Sequence, residues 1–137
     1  MTKIGVIGGT FDPVHLGHIA IAEEARRLFR ISHVVFVPAG HPYFKSMSHI
    51  APAEHRVKML ELALASIPYF KISLMEIKRP GPTYTVETIL RLKETLKPAD
   101  EIFFILGWDS LMSLSRWQDP GRLISLCRLA FPHGPGQ

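Results

Sequence analysis

Short runs of β-branched and aromatic residues alternate along this chain with segments of helical period, and that alternation leaves few folds open. Lys3–Ile7, His33–Val37 and Ile102–Leu106 are the clearest runs. His33–Val37 carries Val34, Val35, Phe36 and Val37 and is stopped by Pro38; a continuous apolar run of this kind suits a strand buried on both faces. From about Leu16 to Phe29, Ala22, Ala25 and Phe29 keep helical spacing, with Glu23, Glu24, Arg26 and Arg27 on other faces. Pro52 suits the first turn of a second helix, whose buried stripe is Val57, Leu60 and Leu64. Phe70–Ile77 reads as extended, and Arg79-Pro80-Gly81-Pro82 breaks it. Thr85 is a candidate N-cap for a third helix carrying Val86, Ile89 and Leu90, and Asp109 caps a short helix after Ile102–Leu106. Asp119-Pro120 opens a further helical turn, and Leu126–Phe131 reads as a fifth strand. Strands interleaved with helices predict an α/β fold: a parallel sheet of about five strands with helices on both faces. Right-handed crossovers then put the functional loops at the C-terminal ends of the strands. No repeat or second domain interrupts the pattern, so residues 1–137 are expected to form one domain.

Length and charge narrow the function. At 137 residues the chain has room for one core, and 47% hydrophobic with 20% charged residues is ordinary globular composition. No apolar run approaches the ~20 residues of a membrane helix. The apolar part of the N-terminal segment is short and broken by glycines, unlike a signal-peptide core. Cys127 is the only cysteine, which excludes an intramolecular disulfide and a cysteine-rich metal site and makes a reducing, cytoplasmic setting the default. The net charge of +4 is spread along the chain without a basic block. That favours a small phosphorylated ligand over nucleic acid.

The segment Gly8-Gly9-Thr10-Phe11-Asp12-Pro13-Val14-His15-Leu16-Gly17-His18 joins the first strand to the first helix. Paired glycines allow a sharp turn and close approach of a ligand, and N–H groups near a helix N-terminus suit an anion. The spacing fits neither the dinucleotide-binding glycine pattern nor the P-loop. His15 and His18, three residues apart, share a helix face, with Gly17 expected to leave ligand space beside them. Two imidazole donors beside a helix N-terminus suit charge developing on a phosphoryl group. The same residues also have a plain structural use, as a turn capped by Asp12 with histidines at the surface. The other histidines are scattered, so no metal site is expected.

These residues resemble the signature of the His-x-Gly-His nucleotidyltransferase superfamily, in the form His15-Leu16-Gly17-His18. Three later segments point within it to the bacterial nicotinate-nucleotide adenylyltransferase family. Pro42 and Lys45 match the family's Pro-Pro-His-Lys stretch, while Tyr43 and Phe44 depart from it. Gly81-Pro82-Thr83-Tyr84-Thr85 resembles the segment beside the family's pyridine-nucleotide pocket. Gly107-Trp108-Asp109 with Trp117 resembles its Gly-x-Asp…Trp segment. Phosphopantetheine adenylyltransferase shares the first motif and is the runner-up; it does not predict the last two.

The resemblance implies a Rossmann-like sheet and transfer of an adenylyl group from ATP to nicotinate mononucleotide, releasing pyrophosphate. It implies catalytic roles for His15, His18 and Lys45. Substrate contacts fall to Gly8, Gly9, Thr10, Phe11, Lys45, Thr83, Tyr84, Thr85, Gly107, Asp109 and Trp117. Mg²⁺ is expected to arrive bound to ATP, without a dedicated protein site. ATP and nicotinate mononucleotide are the expected partners, with no nucleic acid and no membrane; a homo-oligomer is left open. One family element has no counterpart, an Ile-Ser-Ser/Thr-x-x-Arg-like signature that grips the ATP triphosphate. The chain instead runs from Leu129 through Pro132 to Gln137, so a truncated, non-catalytic mononucleotide-binding module is the competing expectation.

Overall fold

In the computed structural model the described residues are 2–40, 51–81, 83–107, 112 and 114–132. Along β1 (Lys3–Gly9) successive side chains enter opposite faces, and both faces are covered. Strands β2 (His33–Pro38), β3 (Phe70–Ile72), β4 (Glu101–Ile105) and β5 (Arg128–Ala130) join β1 in one sheet ordered β3-β2-β1-β4-β5. All four pairings are parallel, and β1 runs Ile4 beside His33 to Gly9 beside Pro38 on one side and Lys3 beside Glu101 to Val6 beside Phe104 on the other. The expected five-stranded α/β fold is what the chain adopts.

The sheet divides the interior in two. On one face Ile7, Val34, Phe36, Phe103 and Ile105 meet Ala22 and Ala25 of α1 (Leu16–Phe29) and Leu60 and Leu64 of α2 (Ala53–Leu64). On the other, Val6, Val37, Ile102, Phe104 and Leu106 meet Val86 and Ile89 of α4 (Thr85–Glu94) and Leu123 of α5 (Pro120–Leu126). Alternation along each strand assigns its residues to the two clusters in turn, as a doubly covered parallel sheet requires. A single helical turn, α3 (Met75–Lys78), follows β3.

Four local expectations are corrected. Phe70–Ile77 is extended only to Ile72; Ser73 N–H donates to the Phe36 carbonyl at 2.9 Å, and the chain then turns into α3. This winding buries the Glu76 carboxylate, which accepts the hydroxyls of Thr83 at 3.0 Å and Thr88 at 2.6 Å. The N-cap of α4 is Tyr84, whose carbonyl already accepts from Glu87 and Thr88, so Thr85 lies inside the helix. In α2 Pro52 is the N-cap, and the buried row is Arg56, Leu60 and Leu64 rather than one led by Val57. Strand β5 is limited to Arg128–Ala130, because Leu126 ends a helix. The Asp109 cap lies outside the described residues.

Gly40, just beyond β2, is buried against α3. A Cβ there would lie 2.5 Å from the Glu76 carbonyl oxygen and 3.0 Å from the Ile77 Cα, and neither backbone atom can swing aside as a side chain could. Gly40→Ala is expected to cost about 1–3 kcal/mol, the usual range for overpacking, measured as a lowered urea midpoint with unchanged slope.

Candidate functional site

Strand order sets one position along the sheet apart from the rest. The chain goes from β1 to β2 and β3 on one side, then crosses to β4 and β5 on the other. The gap beyond the C-terminal ends of β1 and β4 is therefore the topological switch point, where open parallel sheets bind ligands. Gly8 and Gly9 end β1 there, and Gly107 follows β4.

The first histidine pair builds the start of α1. His15 is the N-cap, and its Nδ1 accepts the Gly17 N–H at 3.0 Å. His18, at the third helical position, returns the bond: its Nδ1 accepts the His15 N–H at 3.0 Å. This is a capping box made from two imidazoles instead of the usual hydroxyl and carboxamide or carboxylate. Each Nδ1 is an acceptor, so each neutral ring carries its proton on Nε2. The rings stack with centroids 3.8 Å apart, and the Phe11 ring meets His18 edge-on at 5.0 Å. Burial, and secondarily the neighbouring His15, hold the His18 pKa down to about 4. At neutral pH His18 is an uncharged Nε2–H donor.

Gly17 serves the pair differently from the expectation. A Cβ at Gly17 would fall 2.8 Å from His15 Cε1 and 2.9 Å from Nδ1, so the space it leaves is filled by the His15 ring. The glycine pair also differs from expectation. Gly8 and Gly9 are extended members of β1, and the sharp bend falls on Phe11, which has φ of 49°. The residue is 1% exposed and its ring packs on Phe36, which holds the backbone in a conformation non-glycine residues rarely adopt. Phe11 thus belongs to the core, backbone included. A Cβ at Gly8 or Gly9 would meet nothing closer than 3.7 Å, so these positions leave the edge of the sheet bare.

Of the remaining expected residues, Thr83, Tyr84, Thr85, Gly107 and Trp117 are described. Trp117 is half-buried and meets Phe104 edge-on at 5.7 Å. Phe104 in turn lies 4.0 Å from where a Gly8 Cβ would be. Tyr84 packs against the same cluster as Trp117, whereas His15 and His18 belong with α1 on the opposite face. The Thr83 hydroxyl is committed to Glu76, and Thr85 begins α4. Gly107 has Ile21 of α1 3.6 Å from its Cβ position. Lys45 and Asp109 lie outside the described residues. Among the described residues no group of three or more His, Cys, Asp or Glu side chains could hold a metal, and no helix is long and apolar enough to cross a membrane.

Two polar residues of the site's framework escape a sequence reading. Arg56 of α2 is 1% exposed, and burial lowers its pKa despite the nearby Asp12. Its Nη1 donates to the carbonyls of Thr10 at 2.9 Å and Ala39 at 2.6 Å, and its Nε to that of Ala51 at 2.9 Å. The one available signal is its place four residues before Leu60 and eight before Leu64, in the apolar row. Glu76 offers no such signal, because its partners are seven and twelve residues away.

The sequence matches the cytidylyltransferase-like family over residues 6–133. The chain belongs to that family. A relative from Dehalococcoides mccartyi, named probable nicotinate-nucleotide adenylyltransferase, is 45% identical over 135 residues, covering 98% of this chain and 66% of the relative. Two solved structures share this cytidylyltransferase-like fold. One, from Vibrio parahaemolyticus and described as a nicotinate-nucleotide adenylyltransferase, has a TM-score of 0.80 at 18% identity and covers 98% of this chain and 76% of its own. The other, the Plasmodium falciparum nicotinic acid mononucleotide adenylyltransferase complexed with NaAD, has a TM-score of 0.75 at 18% identity and covers 100% and 77%. The chain spans 66% of the length of the curated relative.

The histidine cap makes stability depend on pH. Between about 4 and the ordinary value near 6.5, the unfolded chain binds a proton at His18 that the folded chain refuses. Stability is thus complete above pH 6.5 and falls as pH drops through about 4. A histidine-ring NMR titration is expected to give a His18 midpoint near 4. His18→Gln, which keeps an acceptor but cannot titrate, is expected to flatten the fall of the thermal midpoint across that window.

Proposed function

We propose that this site transfers an adenylyl group from ATP to nicotinate mononucleotide, giving nicotinate adenine dinucleotide and pyrophosphate in NAD biosynthesis. The observation that carries this reading is the imidazole capping box at the switch point, which presents two Nε2–H donors beside a helix N-terminus. The name of the Dehalococcoides relative supports the choice of substrate. It speaks against the phosphopantetheine alternative, which does not account for the Gly81–Thr85 and Trp117 segments.

The nucleophile is the 5′-phosphate of nicotinate mononucleotide, which attacks the α-phosphorus of ATP in line as the bond to pyrophosphate breaks. A phosphate is already ionised near neutral pH, so no protein base is required, and the protein contributes position and electrostatic stabilisation. His15 and His18 donate to the phosphate oxygens through Nε2, and a neutral donor keeps its proton throughout. Gly8 and Gly9 keep side chains out of the ligand's path, Thr10 offers its backbone N–H, and Phe11 supports the turn from the core. Lys45 neutralises phosphate charge. Asp109, following Gly107, accepts from ribose hydroxyls. Trp117 offers a flat apolar surface to the pyridine ring. Thr85 and the backbone of Thr83 and Tyr84 hold the pyridine nucleotide, with Thr83 anchored from behind by Glu76. Mg²⁺ bound to the triphosphate supplies charge neutralisation there. The reaction belongs to the cytoplasm, where both substrates occur.

Because the chain spans 66% of the curated relative's length, binding without turnover is the second reading. The deciding assay mixes the chain with ATP, Mg²⁺ and nicotinate mononucleotide and follows pyrophosphate release and dinucleotide formation. Turnover is expected, and His18→Ala is expected to lower it roughly 10²-fold, as for other lost oxyanion donors. An unchanged rate in that variant overturns the role of His18. Calorimetric binding of nicotinate mononucleotide with no pyrophosphate release supports the second reading.

A further inference from the structure

The bonds around Thr10 show a pattern of carbonyls drawn to one side. The Gly9 carbonyl accepts the Ala39 N–H at 2.8 Å. The next carbonyl, that of Thr10, accepts Arg56 Nη1 at 2.9 Å. In a trans peptide the C=O and the following N–H point in opposite directions. The Thr10 and Phe11 N–H groups are therefore both turned away from β2 and α2, and among the described residues neither has an acceptor. A turn that is to receive an anion must present N–H groups and withdraw carbonyls, whose oxygens repel negative charge. Here two successive carbonyls are withdrawn.

We propose that Arg56 is the positioning residue of the anion-binding turn: by gripping the Thr10, Ala39 and Ala51 carbonyls from behind, it keeps the Thr10 N–H facing a phosphate, with Phe11 buried beneath the turn. The three carbonyls come from three separate segments, after β1, after β2 and before α2. Asp12 adds a second tie, its Oδ2 accepting the Ala51 N–H at 3.2 Å. Arg56 makes no ion pair with a described residue, so its buried charge is satisfied by main-chain dipoles. That charge also lies on the side of the turn opposite the N–H groups, where it favours an anion without touching it. A planar guanidinium can reach carbonyls in several directions at once, whereas a lysine ammonium cannot reproduce that fork. The inference rests on the phosphate reading of this turn but not on which nucleotide is used.

The test is binding of inorganic pyrophosphate to the 137-residue chain, followed by calorimetry and by the amide NMR shift of Thr10. Arg56→Lys keeps the charge and removes the fork. Leu64→Ala, in the core on the same helix, lowers stability without touching the turn. The expected result is a pyrophosphate-induced shift at the Thr10 amide in the wild type and binding weakened about tenfold or more in Arg56→Lys. Leu64→Ala, although less stable, is expected to bind like the wild type. Wild-type affinity in Arg56→Lys, an equal loss in Leu64→Ala, or absence of pyrophosphate binding by the wild type would each overturn the proposal. Arg56-dependent binding in a chain that makes no dinucleotide leaves the positioning role standing and removes the adenylyl-transfer reading. Dinucleotide formation with Arg56-independent binding does the reverse.

Discussion

The first turn of α1 is held by a reciprocal bond between two imidazoles, and the chemistry available at this site follows from that bond. A helix start leaves N–H groups without partners, and the usual remedy is a serine, threonine or aspartate whose cap is complete in itself. A histidine cap differs because the ring has a second nitrogen. When Nδ1 closes the helix, Nε2 is left with a proton and a direction. In the proposed reaction the groups that make the helix begin at His15 are also those that face the ligand, so neither task can be altered alone. Stacking and Phe11 beneath fix the ring planes. Keeping His18 neutral means that the pair requires no buried charge and relies on dipoles aligned with that of the helix.

The sheet supplies a bare edge on which that pair can act, and buried polar residues hold its loops in place. Polar groups are expensive in an interior unless bonded, and both of those involved here are bonded through several atoms. Arg56 binds three carbonyls from three segments. Glu76 binds two hydroxyls, one in the Thr83–Thr85 segment and one on α4, while its own carbonyl is packed on Gly40. The first links the loop after β1 to that after β2; the second links the region after β2 to the start of α4.

What was legible in the sequence is what depends on neighbours along the chain. The span Leu16–Phe29 was readable because its apolar spacing and flanking segments are local, and the three long strands because each is an unbroken apolar run. The His15-Leu16-Gly17-His18 motif was readable as a family signature for the same reason. Arg56 was not, since its meaning lies in carbonyls 17 and 46 residues away. Extension of Phe70–Ile77 failed because a distant pair of threonines makes it favourable to wind Met75–Lys78 and bury Glu76. The bend at Phe11 was wrongly assigned to the glycines: local preference favours glycine for a positive φ, but burial of an aromatic ring outweighs the roughly 1–3 kcal/mol of such strain.

The two groups of expected ligand contacts sit on opposite faces of one sheet, and this gives the glycines at the end of β1 their purpose. His15 and His18 stand on the α1 face; Tyr84 and Trp117 pack with the cluster on the α4 face. A ligand touching both must cross the edge of the sheet where β1 ends. The shortest crossing passes Gly8, whose Cβ position approaches Phe104 and so leads to Trp117, and Gly9, whose Cβ position approaches Phe11 and so leads to His18. Larger side chains at these positions would project alternately to the two faces and obstruct both ends of that path. The glycines are therefore needed for what they leave empty, while the bend itself is made by the residue that follows Thr10.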